Sequence, residues 1–397
     1  SLVLQSKLPS GIEITKTYHF DQQDYRIGLV VDVRNTSKQP LQGAPYLRLT
    51  NQPFSQQKSN RFLFTGPAYY MDQDMQEVKV DDLQEEGARL LRGQLNWAAY
   101  MGPYFITAAL PLSDDADQQT VRFAVADEQK VTTLLSESPA LIPPQGRIQY
   151  NYTLYFGPKK LSILKNVDHE LAAAVDFGWF DILAKPMLYL LNFFYNFVHN
   201  YGLAIILVTV IIKLLFWPIA ARGMKSMKTM QKLQPKIAKL KEKYGDDRER
   251  MNQEMIKLYQ TYKINPVGGC LPMVLQIPVF FALYKVLLQT IELRHAPFML
   301  WINDLSAPDR LYLGFDIPYL GGLPVLTLLM GGSMFLQQKM TPTSPDPTQA
   351  KVMLFLPVLF TFMFINFASG LVLYWFVNNL LSMAQQSIIN RQIAAEG

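Results

Sequence analysis

Cysteine and histidine are scarce in this chain, which limits the chemistry open to it. Cys270 is the only cysteine among 397 residues, so an intrachain disulfide is excluded. None of the four histidines is placed well inside an apolar run for nucleophilic or metal chemistry, and the sequence has no GxSxG, HExxH or Walker motif. We therefore expect no metal, no cofactor and no enzyme activity.

A start methionine and a recognisable signal peptide are also missing, because the chain begins at Ser1. We expect the sequence to start inside a longer protein whose upstream membrane anchor is absent here. Composition then changes along the chain. Residues 1–160 are polar, whereas apolar runs alternate with short polar loops beyond residue 200. This change predicts a soluble domain followed by a membrane domain.

The first 160 residues show the alternation of a β-protein. Apolar side chains recur at every second position in residues 27–33, 121–125 and 148–156. Such period-two segments, separated by turn-rich stretches, predict an antiparallel sandwich. The sequence of this domain contains no catalytic or metal-binding constellation, so we interpret it as a binding or spacer module.

Residues 161–200 link this domain to the apolar part of the chain. The segment Met187–His199 is aromatic and helical in pattern but is interrupted by Asn192 and Asn196. We predict an amphipathic helix in the membrane interface. A transmembrane helix is the alternative.

Five apolar segments follow and predict transmembrane helices. They cover residues 202–221, 270–291, 320–338, 352–368 and 370–389. The polar segment after the first carries twelve Lys and Arg against five Asp and Glu, a local charge of +7 where the whole chain has +5. A basic segment between spans favours the cytoplasmic side. Residues 1–160 are then periplasmic and the C-terminus is cytoplasmic.

The basic segment, residues 222–266, is predicted to be a helical hairpin that is interrupted at Gly245. Three methionines share one face of its first helix: Met224, Met227 and Met230. They form an adaptable binding face or pack against Met251 and Met255 of the second helix. The charge sets topology or attracts anionic lipid or ribosomal RNA; we expect no specific nucleic acid partner.

Lys213 is the most informative residue, because it interrupts the first apolar segment. A cation at the bilayer centre costs about 2.5–3.5 kcal/mol on insertion scales. Arg222, at the nearest polar end, is nine residues away, which is about 13 Å along a helix and beyond the reach of a lysine stem. Snorkelling therefore explains Lys213 less well than a polar cavity does.

Several further side chains in the predicted spans support such a cavity. They are Thr209, Gln276, Phe280, Tyr374, Trp375 and Asn378. Thr209 is four residues before Lys213 and therefore shares its helix face. Each polar residue alone is explained by helix–helix contact, but together with a lysine they indicate a partly hydrated concavity.

Six motifs connect the chain to a known family. They are Val175–Trp179, Leu233–Lys236 (which contains Gln234 and Pro235), Asn265–Pro272, Gln276–Pro278, Trp301–Leu305 and Ser369–Tyr374. Across essentially its whole length the chain resembles the YidC family of bacterial membrane protein insertases, of the Gram-negative type with a large periplasmic domain.

The resemblance implies a fold and a function. The fold is a periplasmic β-supersandwich (here residues 1–160, truncated), the linker 161–200, and an insertase core (residues 201–397) with one further, N-terminal span. The function is insertion of nascent inner-membrane proteins through a hydrophilic groove open to cytoplasm and lipid, alone or with the Sec translocon. The hairpin and C-terminal tail are expected to meet the ribosome or the signal recognition particle receptor.

The resemblance also assigns roles to residues. The charge in the groove, usually arginine, falls on Lys213, and a second aromatic that is often tyrosine falls on Trp375. Two other functions remain as alternatives. A secondary transporter should show internal repeats, and we find no convincing one. An assembly scaffold leaves the polarity of the spans unexplained.

Overall fold

The structure is a computed structural model that describes residues 1–397 except 23, 53–62, 113–118, 128–129, 168, 245–246, 263–270, 316, 341–346 and 396–397. It divides into two compact units. The first comprises Ser1–Asp176 with Gln289–Ile291, and the second comprises Phe177–Leu288 with Glu292–Gly397. The predicted motif at residues 265–272, including Cys270, falls almost entirely outside the described residues.

The first unit is built from antiparallel strands. They are β1 (Leu2–Lys7), β2 (Ile12–Phe20), β3 (Arg26–Asn35), β4 (Leu41–Gly43), β5 (Tyr46–Asn51), β6 (Gly66–Met71), β7 (Asp74–Glu77), β8 (Arg89–Gly93), β9 (Leu95–Met101), β10 (Phe105–Pro111), β11 (Gln119–Asp127), β12 (Lys130–Ser136), β13 (Ala140–Ile142) and β14 (Arg147–Pro158). Two short helices, α1 (Val80–Glu85) and α2 (Leu161–Leu164), accompany them.

These strands form a sandwich. An eight-stranded sheet has the order β1-β2-β3-β14-β10-β9-β6-β7, and a four-stranded sheet has the order β5-β12-β11-β8. Side chains from both sheets share one core, in which the Tyr69 ring stacks on the Phe123 ring at 5.9 Å between centroids. The predicted alternation is confirmed, since Leu29, Val121 and Tyr152 all point into this core.

The second unit is helical. Its helices are α3 (Asp181–Val198), α4 (Tyr201–Tyr244), α5 (Arg248–Thr261), α6 (Leu271–Gln289), α7 (Val325–Met340), α8 (Pro347–Phe364) and α9 (Ser369–Ala395). By length and hydropathy, α4 is the one described helix that qualifies as a membrane span. Two other apolar helical stretches, Val274–Gln289 and Val352–Phe364, are shorter.

Helix α4 differs from the sequence prediction. The sequence predicts a span that ends at residue 221 and a separate hairpin after it, whereas the helix continues without a break to Tyr244. The change from apolar to basic residues alters the surroundings of the helix, but it does not remove backbone hydrogen bonds. Pro218 and Pro235 lie inside the helix, each deleting one such bond. The third predicted span also begins later, at Val325 rather than at residue 320.

The C-terminal half of α4 packs against α5. Leu233 and Ile237 are buried against Met255, Leu258 and Tyr259. The N-terminus of α5 is capped by the Asp247 carboxylate, which accepts a hydrogen bond from the Arg250 N–H at 3.0 Å. The two helices therefore form a small apolar interface in an otherwise polar, basic segment.

Residues 292–324 connect α6 to α7 and hold together the ends of several helices. Asp309 is buried, and its carboxylate accepts hydrogen bonds from the Trp301 indole at 2.6 Å and from the Thr327 N–H at 3.1 Å. An aspartate that accepts from a first-turn N–H stabilises the start of a helix, here α7.

The same segment binds the starts of α4 and α9. The Asn200 amide donates to the Phe298 carbonyl at 2.8 Å, one residue before α4. Ser369, the first residue of α9, donates from its N–H to the Ala307 carbonyl at 2.7 Å and from its hydroxyl to the Asp304 carbonyl at 2.8 Å. One end of the helical unit is therefore closed by a hydrogen-bonded network.

Adjacent glycines in α7 provide a test of the packing. A Cβ at Gly331 would lie 2.0 Å from the Thr361 Oγ1 and 3.1 and 3.2 Å from its Cβ and Cγ2, so rotation of Thr361 gives no relief, whereas nothing lies within 4 Å at Gly332. We expect Gly331→Ala to lower the free energy of unfolding by about 1–3 kcal/mol. The control Gly332→Ala should raise it by up to about 1 kcal/mol. Thermal unfolding in detergent measures both, and equal effects would contradict the close α7–α8 approach.

Candidate polar cluster between the apolar helices

Lys213 is held by a side chain on a distant helix. Its Nζ donates a hydrogen bond to the Ser382 hydroxyl at 2.7 Å, and that hydroxyl donates to the Asn378 carbonyl at 2.7 Å. Lys213 lies on α4, and the other two residues lie one turn apart on α9. The lysine is half-buried, while its neighbours Leu214 and Leu215 are exposed. The ammonium is thus directed into the helical unit instead of along α4 toward its polar half.

Thr209 lies one turn before Lys213 and is buried. Its hydroxyl donates to the Ile205 carbonyl at 2.6 Å within α4. Asn378 is also buried. The predicted shared face of α4 therefore exists and packs on α9, but Thr209 has its hydroxyl engaged by its own helix.

Polar contacts continue from α9 to α7. The Asn379 amide donates to the buried Ser333 hydroxyl at 3.0 Å, and the Gln386 amide donates to the Met340 carbonyl at 2.6 Å. Buried polar side chains thus occupy two neighbouring faces of α9, one toward α4 and one toward α7. Hydrogen bonds of this kind fix how helices pack where the hydrophobic effect between them is weak.

The predicted aromatic residues meet beside this polar cluster. The Phe280 and Trp375 ring centroids are 4.7 Å apart in an edge-to-face arrangement. Phe364 joins them at 5.1 Å from Trp375, and Phe360 lies at 6.1 Å from the same ring. These rings come from α6, α8 and α9, so three helices contribute to one aromatic cluster.

Tyr374 and Gln276 are two further predicted polar side chains, on α9 and α6. Tyr374 is buried, and the Gln276 side chain lies near its hydroxyl. That hydroxyl nevertheless has no partner with hydrogen-bond geometry among the described residues. A buried hydroxyl without a partner costs free energy.

The hairpin residues differ in their exposure along α4. Met230 of α4 and Met255 of α5 both pack against the buried side chains of Leu233 and Ile237, which supports the packing interpretation for Met230. Met224 and Met227 are half-buried. Gln234 is half-buried and engaged, and Pro235 is exposed.

The pair Lys213–Ser382 has the separation of a serine–lysine catalytic dyad. However, the serine hydroxyl is bonded to the Asn378 carbonyl. Ser382 also lies in the middle of α9, where neighbouring N–H groups are used by the helix itself and offer no oxyanion site. In this arrangement the Ser382 hydroxyl donates to a backbone carbonyl and accepts from the Lys213 ammonium.

Three relevant residues were not identified from the sequence. Ser382 follows Asn378 by one helical turn, and Phe364 follows Phe360 by one turn, so the i, i+4 spacing was the available signal. Lys285 is a second lysine in an apolar helix, four residues before the end of α6. Its place near a helix end distinguishes it from Lys213.

Comparison with known proteins agrees with these observations. A family described as YidC periplasmic domain matches residues 1–190, and one described as 60Kd inner membrane protein matches residues 193–396. The membrane protein insertase YidC of Syntrophobacter fumaroxidans is 45% identical over 98% of this chain and 70% of its own length. That of Geotalea uraniireducens is 47% identical over 99% of this chain and 72% of its own length.

A solved structure of an active YidC insertase, with its first transmembrane domain resolved, matches 96% of this chain and 74% of that chain. Its sequence identity is 20% and the TM-score is 0.44, so the assignment rests on the sequence matches. They cover both units and confirm the resemblance seen in the motifs. The chain belongs to the YidC family of membrane protein insertases, inner-membrane proteins that carry a periplasmic domain.

Proposed function

We propose that the polar cluster around Lys213 lines a hydrophilic groove, open to cytoplasm and lipid, through which this insertase moves the polar tail of a nascent membrane protein. The observation that supports this most directly is the Lys213 ammonium, which Ser382 holds at 2.7 Å. Other groove contacts are Thr209, Gln276, Phe280, Tyr374, Trp375 and Asn378. Thr209 acts by packing, since its hydroxyl is already bonded.

The free energy of insertion depends mainly on the solvation of the substrate's polar and apolar segments. A polar or acidic tail that crosses the bilayer unaided loses its hydration, which is costly. A hydrated cluster with a fixed cation lowers that cost. The apolar segment of the substrate then passes the rings of Phe280 and Trp375 into lipid. Its burial releases about 25 cal/mol for each Å² of apolar surface, so this protein needs no nucleotide of its own.

The topology that fits this mechanism has five spans, formed by the N-terminal half of α4 and by α6, α7, α8 and α9. The basic hairpin, which comprises the C-terminal half of α4 and α5, is cytoplasmic together with the C-terminus. Residues 1–160 are the periplasmic β-sandwich, and 161–200 include the interfacial helix α3. The apolar side chains of Ile182, Phe193 and Phe197 on α3 are exposed, which supports contact with lipid.

Partners follow from the same arrangement. Nascent membrane proteins are the substrates, and the Sec translocon is a cooperating partner. The hairpin (with Met224, Met227, Met230, Gln234 and Pro235) and the C-terminal tail receive the ribosome or the signal recognition particle receptor.

Two alternative functions make different predictions. A small-solute transporter would use the same lysine but should bind solute rather than peptide. An assembly scaffold, when purified, would not insert a substrate protein into liposomes by itself.

Replacement of Lys213 tests whether insertion requires its positive charge. We expect Lys213→Ala to slow insertion of a substrate with an acidic tail about tenfold, which corresponds to ~1.4 kcal/mol, while Lys213→Arg keeps activity because the charge remains. A substrate with a neutral tail should be little affected. The measurement is insertion into proteoliposomes by the purified protein. Lys285→Ala is the matched control and should have no effect; an unimpaired Lys213→Ala variant would refute the role of the cation.

Ser382 is expected to position that cation. Ser382→Ala should impair insertion of the acidic-tail substrate less than Lys213→Ala does, because the ammonium loses its acceptor but keeps its charge. Ser382→Thr should preserve activity. In a Lys213→Ala background the Ser382→Ala change should add nothing, as expected for coupled residues. Ser387→Ala on the same helix is the control, and additive losses in the double variant would exclude the coupling.

Deletion of the hairpin tests whether insertion requires it. Replacing residues 222–263 with a short Gly/Ser linker removes the α4–α5 interface at Leu233 and Ile237 but leaves the contacts of Lys213. We expect insertion to be lost while the thermal unfolding midpoint of the remaining helices is kept. Insertion at the normal rate by the folded deletion variant would show that the hairpin is dispensable.

A further inference from the structure

A closed loop projects from the segment between α6 and α7. Leu311 and Leu323 form an antiparallel bridge, exchanging two backbone hydrogen bonds of 2.8 Å. Between them, the Gly321 N–H donates to the Ile317 carbonyl at 2.8 Å. The described residues of 312–322, which exclude 316, therefore belong to a loop with joined ends, a type of loop that is frequently functional. We call it the bridged loop.

Large apolar side chains of the bridged loop are exposed. Tyr312 is 65% exposed, Leu313 48% and Phe315 62%, and Tyr319 is fully exposed. Tyr319 also has a φ of +66°, in the left-handed region that side-chain-bearing residues seldom adopt. Exposed apolar clusters of this kind mark a surface that contacts another apolar phase.

The base of the loop is fixed to the ends of two apolar helices. The Arg310 guanidinium donates to the Ile365 carbonyl and to the Asn366 side-chain oxygen, both at 2.8 Å, just after α8. Helix α7 begins two residues after Leu323. The loop is thus joined to the ends of helices that carry exposed apolar side chains, including Phe362 on α8. In a membrane protein such faces contact acyl chains.

The chemistry of the loop also favours lipid. Residues 312–322 contain two tyrosines and a phenylalanine, no lysine or arginine, and Asp316 as their one acidic residue. Tyrosine rings prefer the depth of the headgroups, and a segment without basic residues gains nothing from anionic lipid. The segment that precedes the loop lies at the N-terminus of α4, where the Phe298 carbonyl accepts a hydrogen bond from the Asn200 amide. The basic hairpin is at the opposite end of that helix.

We infer that the bridged loop inserts into the headgroup–acyl boundary of the membrane leaflet opposite to the basic hairpin, and that its binding to lipid is apolar and independent of headgroup charge. The inference rests on the membrane location of the family and does not depend on the groove mechanism.

The test uses a fluorophore attached to single cysteines in the full chain, with Cys270→Ser as the background. Phe315→Cys and Tyr319→Cys are the probes, with Tyr312→Cys as a replacement if either lowers the unfolding midpoint. Phe362→Cys on α8 is the lipid-facing control, and Gln253→Cys, exposed on α5, is the aqueous control. Each is reconstituted in phosphatidylcholine vesicles, with and without phosphatidylglycerol, that contain spin-labelled lipid.

We expect blue-shifted emission at positions 315 and 319 and quenching by a spin label near the headgroup, equal in both lipid compositions. A deeper acyl label should quench position 362 more strongly, and position 253 should be quenched by neither. Quenching at 315 and 319 no greater than at 253 would overturn the inference. So would a blue shift that depends on protein density in the vesicle, since the loop would then contact a second copy.

Discussion

The hydrogen bond from Lys213 to Ser382 is the interaction on which the arrangement of the helical core depends. A charged side chain among apolar helices is tolerated only where protein groups replace water. Here the replacement comes from α9, whose other polar side chains bond to α7. The hydrogen-bonding requirement of Lys213 is therefore met where α4 packs on α9, and Trp375 of α9 packs against the rings of Phe280 and Phe364.

Residues 292–324 form a second hydrogen-bonded network, at one end of the helical unit. There the helix starts are joined by backbone and carboxylate hydrogen bonds, with Asp309 as a buried acceptor. The Asp309 carboxylate has two defined donors in this network, and hydrogen bonds among buried groups reinforce one another. Buried hydroxyls without a partner among the described residues occur both here, at Thr327, and beside the aromatic rings, at Tyr374.

The sequence predicted the parts of this structure that depend on local pattern. Alternation in β3, β11 and β14 identified the sandwich, and the position of Lys213 indicated a polar site. Ser382 could not be predicted, because it is 169 residues from Lys213 and its role depends on α4–α9 packing. The continuity of α4 was not predicted, because the loss of hydrophobicity after residue 221 was interpreted as the end of a helix. The helical backbone itself continues through this position.

Because α4 is continuous, Lys213 and the residues that contact α5 lie on one helix. Its 44 residues extend about 66 Å at 1.5 Å per residue, with Lys213 near one end and the α5 contact near the other. A force applied to the C-terminal half of α4 is therefore transmitted along the helix to the turn that carries Lys213. Pro218 lies between the two and removes one backbone bond, so bending concentrates there. Bending at Pro218 changes the direction of the part of α4 that carries Lys213 relative to the part that packs on α5.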